Sequence, residues 1–233
     1  MVSGMPRLSR IAPGGQVYHV LNRSRNGRRL FRTPADFQAF DRAMQMAVER
    51  RPVRLLGWCV MEDHWHVVLH VKRDDDLSRF FGLLALSHAG RWRGSHRSSP
   101  RGRMYESRFR HFMIQRDEHL LDVLRFVESN PLRAGLVKRA QEWIGSSLHA
   151  RLKGPPEMRD LIAEWPVQRP RDWTLLVNRK QEPKQIEQIA LCIARGRPYG
   201  DETWTRRVVQ KYGLESTIRP RGRQKGWRKK TTR

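Results

Sequence analysis

His64, Trp65 and His66 place two imidazoles two residues apart inside the apolar run 64–71. Side chains at that spacing on a β-strand project from one face, so both rings can reach a single divalent cation while Trp65 and Val67 turn the other way. The layout suits metal-assisted chemistry. With 9 His in 233 residues, a pair at this spacing arises by chance about a third of the time. The triplet therefore needs support from elsewhere in the sequence, and the segment 125–137 provides it. An ordinary zinc centre built on the same pair is the weaker reading, because no third ligand follows at a matching distance.

The elements that must position these rings follow from periodicity. Residues 14–22 read as a first strand approached through two glycines, and 53–61 with 64–71 as a hairpin turning at Glu62-Asp63. Phe37, Phe40, Met44 and Val48 repeat at helical spacing behind Thr33-Pro34, and Leu77, Phe80, Phe81 and Leu84 do so in 76–93. A strand over 104–115 and a helix over 118–129, stopped by Asn130-Pro131, complete a β-α-β-β-α-β-α order. Strands and helices interleaved in this way predict an α+β fold, with helices packed on a mainly antiparallel sheet.

Beyond 153 the pattern changes. Residues 154–183 carry five prolines and few periodic apolar positions, which reads as a linker able to drape over the first unit. Residues 184–218 offer two short helices around Gly196, a small helical extension that admits a helix-turn-helix. The last fifteen residues hold eight Lys or Arg and no acid. Within that tail, Arg219-Pro220-Arg221-Gly222-Arg223 is similar to the core of an AT-hook, although Gln224 stands where that motif has proline. A basic tail that binds phosphates without sequence preference is the simpler reading.

The charge balance selects the partner class. Forty-seven Lys+Arg against 23 Asp+Glu give a net charge of +24, the sign and size that a nucleic acid selects. Two isolated cysteines, Cys59 and Cys192, exclude a disulfide framework and a Cys-type zinc site, and fit a reducing cytoplasm. No stretch approaches the roughly 18 apolar residues of a membrane span.

The string Arg125-Phe-Val-Glu-Ser-Asn-Pro-Leu-Arg-Ala-Gly-Leu-Val137 resembles the helix of the REP-associated tyrosine transposases, a branch of the single-tyrosine HUH transposases. Val17-Tyr18-His19-Val20, Met61 to His66, Arg108-Phe109 and 143–147 extend the resemblance over roughly 5–150, and the stretch from Arg195 to Arg223 resembles the C-terminal extension of many members. The resemblance implies a ferredoxin-like HUH nuclease core over 1–153. It implies that His64, His66 and Asn130 hold Mg²⁺ or Mn²⁺, and that position 126 carries the nucleophile. One helical turn separates 126 from 130, so both face the same scissile phosphate. A tyrosine there would leave a 5′-phosphotyrosine and a free 3′-hydroxyl.

This protein has Phe126 at that position, and phenylalanine has no nucleophile. The resemblance thus implies a protein that binds single-stranded DNA with a REP-like hairpin but does not cut it, as an inactivated variant or as a natural structural or regulatory hairpin-binding protein. Tyr105, on a predicted strand without a companion ligand, is read as a packing residue. Glu62-Asp63 replaces the family's usual Pro-Asn, which offers Asp63 as a partner or extra ligand for His64. His19 is read as a support for the sheet or the site, and His70 as a surface or core histidine. Arg23, Arg91, Arg93, Arg108, Arg110 and Arg133, with Arg219, Arg221 and Arg223 of the tail, are the expected DNA contacts. A cytoplasmic, nucleoid-associated location is expected, and asymmetric hairpin targets are compatible with a monomer while leaving the oligomeric state open.

Overall fold

The computed structural model describes residues 11–96 and 102–219. In sequence order the elements are β1 (Val17–Arg23), α1 (Pro34–Arg50), β2 (Arg54–Val60), β3 (His64–His70), α2 (Asp76–Ser95), β4 (Arg110–Ile114), α3 (Glu118–Glu128), α4 (Asn130–Arg133), α5 (Ser147–Lys153), α6 (Pro156–Arg159), α7 (Trp173–Asn178), α8 (Pro183–Arg195), α9 (Glu202–Tyr212) and α10 (Glu215–Ile218). The four strands form one antiparallel sheet in the order β2-β3-β1-β4. The α+β architecture expected from the interleaved periodicities is therefore the one observed.

Strand parity sorts the side chains onto two faces. Tyr18, Val20, Trp65, Val67 and Leu69 meet Phe37, Phe40 and Met44 of α1 and Leu77, Phe80, Phe81 and Leu84 of α2 in one apolar cluster. Val17, Val68, Phe112 and Ile114 meet Leu120, Val123, Leu124 and Val127 of α3 in the other, joined by Trp173 of α7 and Ile189 of α8. In β2 the register shifts between Leu55 and Gly57, so Leu55, Trp58 and Val60 all reach the first cluster despite their odd spacing. A bulge inserts one residue and resets parity in this way.

Two element boundaries differ from the sequence expectation. The last strand spans 110–114 rather than 104–115, because the register set by Leu21 opposite Arg110 is broken before residues 104–106, which bond Arg23 and Arg25 out of step with it around an isolated bridge from Tyr105 to Ser24. Pro131 does not end the helical path: α3 stops at Glu128, Ser129 stays helical (φ −86, ψ 0), and Pro131 falls in the first turn of α4. The N–H that proline lacks has no helical partner to lose in a first turn.

Residues 162–165 of the segment expected as a linker lie on the edge of β2 away from β3. Ala163 N–H donates to Leu55 O (2.7 Å) and Trp165 Nε1 to Leu56 O (2.7 Å). The opposite edge is met by Tyr199, which exchanges backbone bonds with Met113 and Gln115 of the β4 segment. Gly145 O and Ser147 Oγ accept from Val60 and Trp58 further along β2, so segments on both sides of α5 meet the sheet edges. Among the described residues no helix is long and apolar enough to cross a membrane.

Beneath α2 sits a buried polar relay. Trp65 Nε1 donates to Tyr105 Oη (3.0 Å), which lies 2.6 Å from His88 Nδ1, and Phe31 stacks flat on the His88 ring. With its proton given to Nδ1, the Tyr105 hydroxyl requires a neutral His88, and burial pushes that imidazole down to about 3. An unfolded histidine takes up a proton near its ordinary 6.5, whereas the folded one refuses it. His88 therefore costs stability as pH falls from the ordinary value towards 3. His88→Gln is expected to make the fall in unfolding free energy shallower by about 1.4 kcal/mol per pH unit between about pH 4 and pH 6, read from urea curves. An unchanged slope would show that His88 is charged in the folded state.

Candidate functional site

The β1–β3 register sets Arg23 opposite His64 and Leu21 opposite His66, while Leu21 pairs on its other side with Arg110. The two histidines thus stand at one end of the sheet, on the face covered by α3. Each has one ring nitrogen committed. His64 Nδ1 lies 2.5 Å from Asp63 Oδ1, and His66 Nδ1 lies 2.8 Å from His19 Nε2. With Nδ1–H donating in both rings, each Nε2 keeps its lone pair. Such outer partners fix the tautomer and orientation of a metal-binding imidazole.

Burial lowers the pKa of both, that of His66 well below the ordinary value; for His64 the Asp63 carboxylate opposes the shift. His19, fully enclosed, is pushed down to about 3. All three rings are therefore neutral at physiological pH, the form a metal requires.

α3 and α4 bring the remaining groups. The Asn130 amide nitrogen is 3.5 Å from His64 Nε2, and the Phe126 ring meets His66 edge-on at 6.0 Å. His64, His66, Phe126, Asn130, Arg23, Arg108 and Arg110 all line one cleft of about 570 Å³. The two imidazoles fit a divalent cation, and the Asn130 amide would join them by turning its oxygen, which now faces Arg133, toward His64.

Several expected residues lie elsewhere. Arg133, expected to touch DNA, instead directs its guanidinium inward: Nη1 donates to Phe126 O (2.7 Å) and to Ser129 Oγ, Nη2 approaches Asn130 Oδ1 (3.4 Å), and the group sits 4.1 Å over the Phe126 ring. Burial lowers it only to about 10, so it remains a cation. The reason is local, since residues 129, 130 and 133 share one turn. Arg91 and Arg93 are exposed on α2, bound to Ser87 Oγ and Gly102 O, and do not line the cleft. Arg219 follows α10 and accepts through its carbonyl from Arg195; Arg221, Arg223 and the rest of the tail lie outside the described residues. Tyr105 is on the opposite face of the sheet, with the packing part expected of it.

Sequence reasoning missed one wall of the cleft. Ala190, Ile193 and Ala194 of α8 line it, opposite Glu106, Ser107 and Arg108. The signal was present as a small-residue pair four apart on an amphipathic helix, but nothing local tells which surface such a stripe meets. Asp117, Glu118 and His119 also gather ligand atoms at the start of α3. That cluster is accounted for by capping, because Asp117 accepts from both the backbone N–H and the ring of His119.

Residues 15–130 match the family model described as "Transposase IS200 like". The protein belongs to the IS200-like transposases. The match spans β1 to Asn130, and so contains both histidines, position 126 and the α3–α4 junction. A curated relative, the putative REP-associated tyrosine transposase of Haemophilus influenzae, is 22% identical over 122 residues, which is 49% of this protein and 69% of that one. The solved structure of a REP-associated tyrosine transposase bound to a REP hairpin superposes with a TM-score of 0.51 at 19% identity, covering 66% of this protein and 90% of that one. At this identity the superposition shows the shared fold. The residues that the family model matches contain all four strands and α1 to α3, while α8 lies beyond them.

Proposed function

We propose that this protein binds single-stranded DNA carrying a REP-type hairpin, within a family that cuts and rejoins such strands through a tyrosine, and that it does so without cutting. One observation carries the reading: the imidazoles of His64 and His66, the Asn130 amide beside His64 Nε2 and the ring at position 126 converge in a cleft edged by Arg23, Arg108 and Arg110. The curated relative and the hairpin-bound structure supply the substrate class.

His64, His66 and Asn130 would hold Mg²⁺ or Mn²⁺, which when bound supplies charge to a phosphate oxygen. The arginines draw the backbone into the cleft and orient it. Phe126 fills the place of the attacking group but has no hydroxyl, so no bond to phosphorus forms and no 3′-oxygen leaves. The same residue favours the second reading, a structural or regulatory hairpin-binding protein.

In a mobility-shift assay the protein is expected to retain a labelled hairpin with unpaired flanks in preference to a perfect duplex of equal length, without producing shorter DNA. Equal binding to both would sink the hairpin reading. Asp63→Asn is expected to weaken Mn²⁺ binding about 10- to 100-fold in a calorimetric titration, because His64 loses its carboxylate partner. Unaltered affinity would mean that His64 is not a ligand.

A further inference from the structure

Phe126 and Glu128 point about 200° apart around α3, since each residue turns the helix by about 100°. Phe126 faces the cleft, whereas Glu128 is enclosed on the far side of α3, where its partner Arg151 lines a second and separate hollow. The Glu128 carboxylate is fully buried. Oε1 accepts from Ser147 Oγ (2.5 Å) and from Arg151 Nη1 (3.2 Å), and Oε2 accepts from Trp173 Nε1 (2.6 Å). Arg151 lies 5.2 Å over the Trp165 ring and forms part of the wall of a hollow of about 400 Å³.

Arg159 and Arg169 also line that hollow, with Ile162, Val167 and Trp165 as its apolar part. The only carboxylate in the lining is Glu164, exposed at its rim. Partial burial lowers the Arg169 pKa, and repulsion by the Arg151 cation lowers it further. Glu128 offsets one of the charges, but its oxygens are already engaged. Three guanidiniums thus converge around a concave space whose own acids do not balance them. A planar guanidinium is suited to paired hydrogen bonds with phosphate oxygens, and the volume admits a phosphate with an attached sugar.

We infer that the hollow between α6 and the 162–169 segment is a phosphate-binding site, contacted by Arg151, Arg159 and Arg169 and separate from the cleft. In a protein of net charge +24 the phosphodiester backbone of nucleic acid is the first source of that phosphate. That part rests on the reading under Proposed function; the anion chemistry does not.

The test uses the full-length protein, Arg159→Ala/Arg169→Ala, and a control, Arg42→Ala/Arg50→Ala, which removes two exposed charges from α1 that do not line the hollow. Arg151 is left in place because its loss would strand Glu128. Hairpin affinity is measured across a salt series, and thermal midpoints are compared in inorganic phosphate and in chloride at matched ionic strength. The hollow variant is expected to flatten the plot of log affinity against log salt by about 1 to 2, and the control to flatten it much less. If the slope is kept but a phosphate-specific rise in midpoint is lost in the hollow variant, the site holds a free phosphorylated ligand and the nucleic-acid source is overturned. If neither readout separates the hollow variant from the control, the site itself is overturned. Should the unaltered protein bind no hairpin, the hairpin reading fails on its own, and the phosphate arm still decides the hollow.

Discussion

Phe126→Tyr is expected to convert a protein that yields no covalent product into one that becomes linked to its DNA. The change adds a single hydroxyl to a ring already packed against His66 and lying under the Arg133 guanidinium, so little repacking is required. A cation 4.1 Å from the ring centroid favours the phenolate, the form that attacks. Labelled hairpin, Mn²⁺ or Mg²⁺ and either protein would be run on a denaturing gel, where cut DNA and a protein-linked band should appear for the tyrosine form alone. Adding Arg133→Met in the tyrosine background is expected to lower the cleavage rate about 100-fold and to move the rising, acid-side limb of its pH profile to higher pH, because the phenol loses its neighbouring cation. If neither protein cuts while both bind, the structural or regulatory reading prevails. A covalent band from the unaltered protein would place the nucleophile elsewhere, and Tyr105 is screened from the cleft by the sheet.

Glu128→Ala should cause the largest loss of stability of any of these single changes. It removes the acceptor for Ser147, Arg151 and Trp173 at once, leaving donors from α5 and α7 facing an apolar gap behind α3. Deleting one partner of a buried pair costs about 3–5 kcal/mol, which for a protein of this size lowers the thermal midpoint by roughly 10 °C. Glu128→Gln keeps the shape and one acceptor, and is expected to lose about half as much. Urea unfolding with both variants would decide it. A cost under about 1 kcal/mol for the alanine variant would mean that α3 is held by its apolar stripe alone. Because α3 also carries position 126 and leads directly into Asn130, Mn²⁺ affinity should fall alongside stability.

The histidine pair, the hairpin that presents it and the amphipathic helices behind the sheet were legible because they depend on spacing within a few residues. Period two put His64 and His66 on one face and Trp65 on the other; a period near 3.6 marked the buried stripes of α1, α2 and α3. Position 126 and Asn130 were marked by the family resemblance, and spacing added only that they lie one turn apart. The inward turn of Arg133 was within reach of sequence, since its partners lie within seven residues, but charge alone suggested a contact with DNA.

What the tertiary structure alone decided concerns residues far apart in the sequence. His19 meets His66 across 47 positions, and Glu128 gathers Ser147, Arg151 and Trp173 from 19 to 45 positions away. Residues 162–165, in a stretch irregular as sequence, meet the β2 edge because Ala163 and Trp165 find its carbonyls. Ala190, Ile193 and Ala194 become a wall of the cleft only because α8 docks beside β4. The amino-acid sequence by itself determined which residues share a face of each element, because that follows from backbone geometry. Which faces meet depends on how the whole polypeptide buries its apolar surface, and only the folded structure settles that.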